Sequence, residues 1–206
     1  MARGVKVAPG PEELARRIDE LVARRAAEEF PPPPLKDAIR NLLRRGGFRP
    51  AGRNKPSSEY LAQAAREGRF PRINNLVDIN NVLSLEWGLP ISLLDLDALG
   101  EQMEIRCGLE GETYVFNAGG QEIDLAGLIC VCRADAGAST PLGNPIKDSM
   151  AGKIKDQTTA VAAFIYATAE AVDEPAMAKH AAEFAELLQR FAQAQQTEVR
   201  VVRGAA

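Results

Sequence analysis

Residues 73–99 read INNLVDINNVLSLEWGLPISLLDLDAL, and this stretch decides the fold. Val77, Val82, Leu83 and Leu85 share one side of a helix that ends near Trp87. Gly88 fits the left-handed position after the last helical turn, and Pro90 forbids continuation. The apolar run Ile91–Leu94 then reads as a strand. Three short polar side chains, Asp78, Asn80 and Asn81, crowd four positions of the helix. Buried amides and carboxylates need partners, so these residues either cap the helix and a neighbouring turn or face a polar pocket.

Working outward, Val5–Val7 suits a short strand, and Pro11 opens an amphipathic helix to about Glu29 with Leu14, Ile18, Leu21 and Val22 as its stripe. Pro31–Pro34 reads as a stiff polyproline spacer. Helices are predicted from Lys36 to Arg45, where Gly46-Gly47 stops the pattern, and from Ser57 or Ser58 to Glu67. Further strands are predicted at Met103–Gly108, Thr113–Asn117 and Leu128–Arg133, with a hairpin over Glu112–Leu125 turning at Gly119-Gly120. The stretch Asp135–Lys155 is rich in small and polar residues and reads as a long loop, a feature that in compact domains is usually functional or disordered. An alanine-rich helix is expected from Gln157 or Thr158 to about Ala171, and a last helix from Pro175 with Met177, Ala181, Phe184, Leu188 and Phe191 inward. Glu198–Arg203 alternates charge and valine, as an edge strand pairing with Val5–Val7 would.

The fold class expected is α+β: a mixed or antiparallel sheet core with additional helices at both ends, one domain over 206 residues. Within it, residues 1–54 read as an N-terminal helical extension, 55–170 as the core, and 171–206 as a C-terminal helix with an edge strand. Net charge is only −3, yet residues 35–72 hold ten basic against three acidic side chains, a local +7 that leaves −10 for the rest. That asymmetry points to an anionic partner, or to a solvated basic surface. Arg40, Arg44, Arg45, Arg49 and Arg53 are the candidate contacts.

Cys107, Cys130 and Cys132 are odd in number and lack metal-ligand spacing, so free thiols are expected, and His180 is the only histidine. No metal and no cofactor is expected. Neither a secretory leader nor a bilayer-spanning run is visible, so a cytoplasmic location is expected. Phosphate-binding loops, nucleophile elbows and dinucleotide fingerprints are missing from the chain.

The Val77-Asp78 pair with Asn81, the Gly88-x-Pro90 break and the Leu93-Leu94-Asp95-Leu96-Asp97 tail resemble the B3/B4 domain of the bacterial phenylalanyl-tRNA synthetase β subunit. The resemblance continues through Glu104-Ile105-Arg106, Glu110-Gly111-Glu112-Thr113, Gly119-Gly120 and Leu125, spanning about Lys55 to Ala169. In the synthetase that domain hydrolyses tRNA charged with the wrong amino acid. The resemblance implies a free-standing tRNA-binding relative that hydrolyses mischarged aminoacyl-tRNA in trans, an ester hydrolase rather than an aminoacylating enzyme. Its alternative is a non-catalytic module for RNA or an amino-acid-like ligand.

Asn81 retains the family asparagine of the editing pocket and Asn80 replaces a threonine, so both, with Asp78, are implied substrate-binding residues. Ser92 stands where the family often has histidine. The family's glycine-rich segment, whose glutamate helps select tyrosine, has no counterpart after Arg133; in its place stands the 141–159 stretch with Asn144, Lys147, Asp148, Ser149, Lys153, Asp156 and Thr158. Asn144 and Lys147 are candidate substrate ligands, and Lys147 and Lys153 are read either as phosphate contacts or as loop decoration. An aminoacyl ester is reactive enough that placement and oxyanion stabilisation suffice for hydrolysis. Lys153 and Ser149 are the candidate catalytic groups. The amino acid, the tRNA and the oligomeric state are not specified.

Overall fold

The computed structural model describes residues 1–204. A two-residue strand β1 (Ala2–Arg3) leads to α1 (Glu12–Ala26), whose Glu12 and Glu13 at one end and Arg24 and Arg25 at the other oppose the helix dipole. The predicted polyproline spacer is partly helical: α2 (Pro33–Arg44) begins at Pro33, because proline lacks only an N–H that the first turn leaves unused. Next come α3 (Ser57–Arg66) and α4 (Asn75–Trp87). The Asn74 side chain accepts from Val77 N, and Gly88, at φ 71°, ends α4 in the left-handed conformation expected of it.

The chain then forms β2 (Ile91–Asp95), a single turn α5 (Leu96–Leu99), β3 (Met103–Cys107) and the hairpin β4 (Thr113–Val115) with β5 (Glu122–Asp124). It continues through β6 (Ile129–Asp135), β7 (Ala138–Gly143), β8 (Ala160–Ile165), α6 (Glu174–Ala192) and β9 (Gln196–Thr197). These strands build an antiparallel four-stranded sheet, order β2-β8-β1-β9, and an antiparallel three-stranded sheet, order β3-β6-β7.

Three expectations are corrected. The alanine-rich helix at 158–171 is replaced by β8, which pairs along all of β2 from Ile91↔Ile165 to Asp95↔Val161. Small alanines favour a helix locally, but a strand buried between neighbours overrides that weak preference. The long loop at 135–155 contains β7, which folds back on β6 through Ala136-Gly137, with Gly137 at φ 85°. The terminal strands do pair, but as Ala2–Arg3 with Gln196–Thr197 rather than Val5–Val7 with Glu198–Arg203.

One apolar cluster joins Leu14, Ile18 and Leu21 of α1 to Leu76, Ile79 and Leu83 of α4, Phe184 and Leu188 of α6, and Ile91 and Leu93 of β2. A second joins Ile39 and Leu43 of α2 and Phe48 to Leu125, Leu128, Cys130 and Cys132. Cys130 and Cys132 are therefore buried free thiols, and burial pushes the Cys130 thiol up to about 12; Cys107 is exposed instead. His180 stacks on Trp87 with ring centroids 4.3 Å apart.

Candidate nucleic-acid and aminoacyl site

On α4, the Asp78 Oδ1 accepts from Ile73 N at 2.8 Å, ordering the turn that enters the helix. Burial raises the Asp78 pKa, opposed by the Ile73 amide and the Arg72 charge. Asn80 is buried; its amide donates to Asn81 Oδ1 at 3.4 Å, while its own Oδ1 has no partner among the described residues. Asn81 is half-buried. Among the described residues, no hydrogen bond ties these three side chains to residues 144–155.

The second group of predicted residues lies where the segment after β7 crosses β2. Ser92 is fully buried; its hydroxyl donates to Asn144 O at 3.1 Å and lies 2.9 Å from the Tyr166 hydroxyl. Asn144 turns its side-chain oxygen to the amides of Ile146 and Lys147, at 2.8 and 2.9 Å, and donates through Nδ2 to the Tyr114 hydroxyl. Tyr114 donates in turn to Lys147 O at 2.6 Å. Asn144 thus shapes the turn. Ser149 is buried too, its Oγ accepting from Gly152 N at 3.1 Å.

Between them sits Asp148. Its Oδ2 accepts from Leu93 N at 3.1 Å, and its Oδ1 meets no donor at hydrogen-bond geometry among the described residues. Burial pushes its pKa up to about 7, opposed by the nearby Ser92 hydroxyl, the Leu93 amide and the Lys153 ammonium. Gly143 packs tightly beside it: a Cβ there would lie 3.0 Å from that Oδ1 and 3.2 Å from Ser92 Oγ, so those side chains would have to shift by a few tenths of an ångström. Burial likewise raises Tyr114 and Tyr166 well above the ordinary phenol range, so both hydroxyls stay protonated. Tyr114 and Tyr166 were not singled out from sequence, and Asp148 was read only as one of the polar residues replacing the family's glycine-rich segment. The one available signal was the tyrosines in apolar strands, whose hydroxyls must find partners when buried.

The two lysines face outward from this network. Lys153 Nζ donates to Phe116 O at 2.7 Å, and Lys147 Nζ lies 4.0 Å from the Phe116 ring centroid. Burial and then the nearby Arg53 charge lower the Lys147 pKa. Arg53 belongs to the basic 45–56 loop, and Ser57 N, at the end of that loop, donates to Pro145 O at 2.9 Å. The loop is anchored at its other end by Gly46 against Gly127, where a Cβ would come within 2.2 Å of the Gly127 carbonyl oxygen. Arg44 and Arg49 line an open depression of about 490 Å³ with Gly47, Phe48 and Pro50.

The five candidate arginines differ in their commitments. Arg40 is held by Glu59 through two bonds of 2.7 Å, and Arg44 donates to Asn41 at 2.7 Å. Arg44, Arg45, Arg49, Arg53, Lys147 and Lys153 form no ion pair among the described residues. Four of the five buried polar atoms without a partner there, on Ser57, Ser58, Asn80 and Asp148, lie on α3, on α4, which packs against it, and on the segment that α3 bonds at Pro145. No group of three His, Cys, Asp or Glu side chains among the described residues is placed to hold a metal ion, and no described helix is long and apolar enough to cross a membrane.

A family model for the B3/4 domain matches residues 39–196. Phenylalanine–tRNA ligase beta subunits of two Synechococcus strains, JA-2-3B'a(2-13) and JA-3-3Ab, are 30% and 31% identical over 107 and 96 residues. Those matches cover 41% and 36% of this chain but only 13% and 12% of the relatives. The same subunit of Bartonella henselae is 36% identical over 59 residues, 29% of this chain and 7% of the relative. With most of its length matched by the family model, the chain belongs to the B3/4 domain family.

Proposed function

From this B3/4 membership as premise, we propose that the chain binds the acceptor end of tRNA and hydrolyses a mischarged aminoacyl-tRNA in trans. One observation carries the reading: the basic loop is bonded onto the 144–153 segment, so Arg53 and Lys147 stand together beside the buried polar network. Unpaired cations at that edge suit phosphates, and the polar side chains inside suit an amino-acid ester. α1 shares an apolar cluster with α4 and α6, so the whole chain acts as one unit in this reading. It would work on the tRNA pool of the cytoplasm.

In the proposed step a water oxygen bonds to the ester carbonyl carbon, the bond from that carbon to the ribose oxygen breaks, and the ribose oxygen takes the proton. Asn80 and Asn81 hold the aminoacyl group, and Lys153 stabilises negative charge growing on the carbonyl oxygen. Ser149, buried and engaged with Gly152, positions the loop that presents Lys153. A panel of mischarged tRNAs tests this: one should be deacylated faster than in buffer, and Lys153→Met should depress the rate constant more than binding. Inertness towards every member of the panel would end the enzymatic reading.

The alternative is a module that binds RNA or an amino-acid-like ligand without turnover. The engagement of Asn144, Asp148 and Ser149 in the fold's own hydrogen bonds favours it. Saturable binding without deacylation would establish it.

A further inference from the structure

We propose that Phe116 is a positioning residue that holds the Lys147 ammonium ready for a phosphate of the substrate. Phe116 directly follows β4, two residues past Tyr114, so both aromatic side chains leave the same face of the strand. Its amide closes the hairpin on Gln121 O at 3.0 Å, while its carbonyl accepts from Lys153 Nζ at 2.7 Å. Its half-buried ring packs against the second apolar cluster and carries Lys147 Nζ 4.0 Å from its centroid. That distance lies well within the range over which a ring face attracts a cation. One residue of the hairpin thus touches both lysines, Lys147 through its side chain and Lys153 through its backbone.

The segment that bears the lysines is fixed to the same strand. Met150 N donates to Val115 O at 2.8 Å, and the Tyr114 hydroxyl donates to Lys147 O at 2.6 Å. β4 therefore sets the backbone around Lys147, and the ring of Phe116 sets the direction of its long side chain. Neither ammonium forms an ion pair among the described residues, and Arg53 adds a third positive charge beside Lys147. Like charges without a counter-ion repel, so an unsupported Lys147 would turn away from Arg53 into water. A freely rotating lysine loses its rotamer freedom when it grips an anion, whereas one already resting on a ring loses less. The anion is a tRNA phosphate on the reading proposed above, on which this role of Phe116 rests.

Binding of tRNA to the full chain tests the role through a double-mutant cycle. Phe116→Leu should raise the Kd about three- to tenfold, and Phe116→Tyr, which keeps the ring face, should bind as the native chain does. In a Lys147→Gln background Phe116→Leu should change the Kd by no more than about twofold, because the group it positions is gone. Without RNA, the ε-methylene proton resonances of Lys147, assigned by their loss in Lys147→Gln, should be shielded by the ring in the native chain and in Phe116→Tyr. They should move to the ordinary lysine position in Phe116→Leu. Circular dichroism verifies that each variant is folded. Equal weakening by Phe116→Leu and Phe116→Tyr would overturn the proposal, as would an undiminished effect of Phe116→Leu in the Lys147→Gln background or Lys147 resonances that ignore the substitution. A native chain that binds no tRNA would overturn the tRNA reading and this role with it, whereas native binding unaffected by Phe116→Leu would overturn the role alone.

Discussion

Replacing Asp148 by Asn isolates the buried acid at the centre of the candidate site. Asp148 is half-buried as a residue, but its carboxyl group lies inside against β2, with one oxygen on Leu93 N and the other without a partner among the described residues, and burial of the carboxyl raises its pKa from the ordinary 3.8 to about 7. Between those values the folded protein holds a proton that the unfolded chain has released. The stability this confers is fully present below the unfolded value and is lost as pH rises through the folded one. At about 1.4 kcal/mol per pKa unit, the interval corresponds to about 4 kcal/mol, of which roughly 3 kcal/mol falls between about pH 5 and about pH 9. Asparagine keeps the acceptor for Leu93 N and cannot ionise. Urea unfolding of both proteins across this range should therefore show the native protein losing roughly 3 kcal/mol relative to Asp148→Asn as pH rises. Parallel stability profiles would mean that Asp148 ionises as an exposed aspartate does, and would refute its role as a desolvated, proton-holding group.

Three further substitutions test the scaffold around the site. Gly46→Ala forces a methyl group onto the Gly127 carbonyl and should cost about 1–3 kcal/mol in urea unfolding, with weaker tRNA binding as the basic loop shifts. Glu112→Ala removes both acceptors, at 2.6 and 2.8 Å, from the largely buried Arg106 guanidinium, and should cost about 2 kcal/mol by the same measurement. Asn74→Ala deletes the N-terminal cap of α4 and should cost about 1 kcal/mol, leaving the secondary structure by circular dichroism unchanged.

The parts legible in the sequence are those written in local chemistry. Gly88 sits at the end of α4 and Pro90 just beyond it, and the helix ends where they require, whereas the Asn74 cap at its start was not read from the sequence. Gly119-Gly120 lies between β4 and β5 as the hairpin pattern predicts. β8 was hidden because its alanines favour a helix until β2 offers a partner along its whole length. β7 was hidden because a Ser-Thr-Pro strand at the end of a sheet has the composition of a loop, proline being tolerated there. Ser92, Asn144, Lys147, Ser149 and Lys153 were readable as polar residues at a departure from the family pattern. That Asn144 and Ser149 are spent on turns, and that the Asp148 carboxyl is turned inward, depends on which strands cross above them. Arg40 reads as a free cation in sequence and is bound by Glu59, twenty residues away less one, across two helices.

The central claim is that the basic loop and the 144–153 segment form one RNA-binding face. It is tested most directly by the salt dependence of tRNA binding for the native chain and for Arg53→Gln combined with Lys147→Gln. Each lost phosphate contact should flatten the slope of log affinity against log salt by about 0.7–0.9, so the double variant should lose roughly 1.5 from the slope while binding every tRNA more weakly. A slope identical in the two proteins, or native binding that does not weaken with salt, would contradict it.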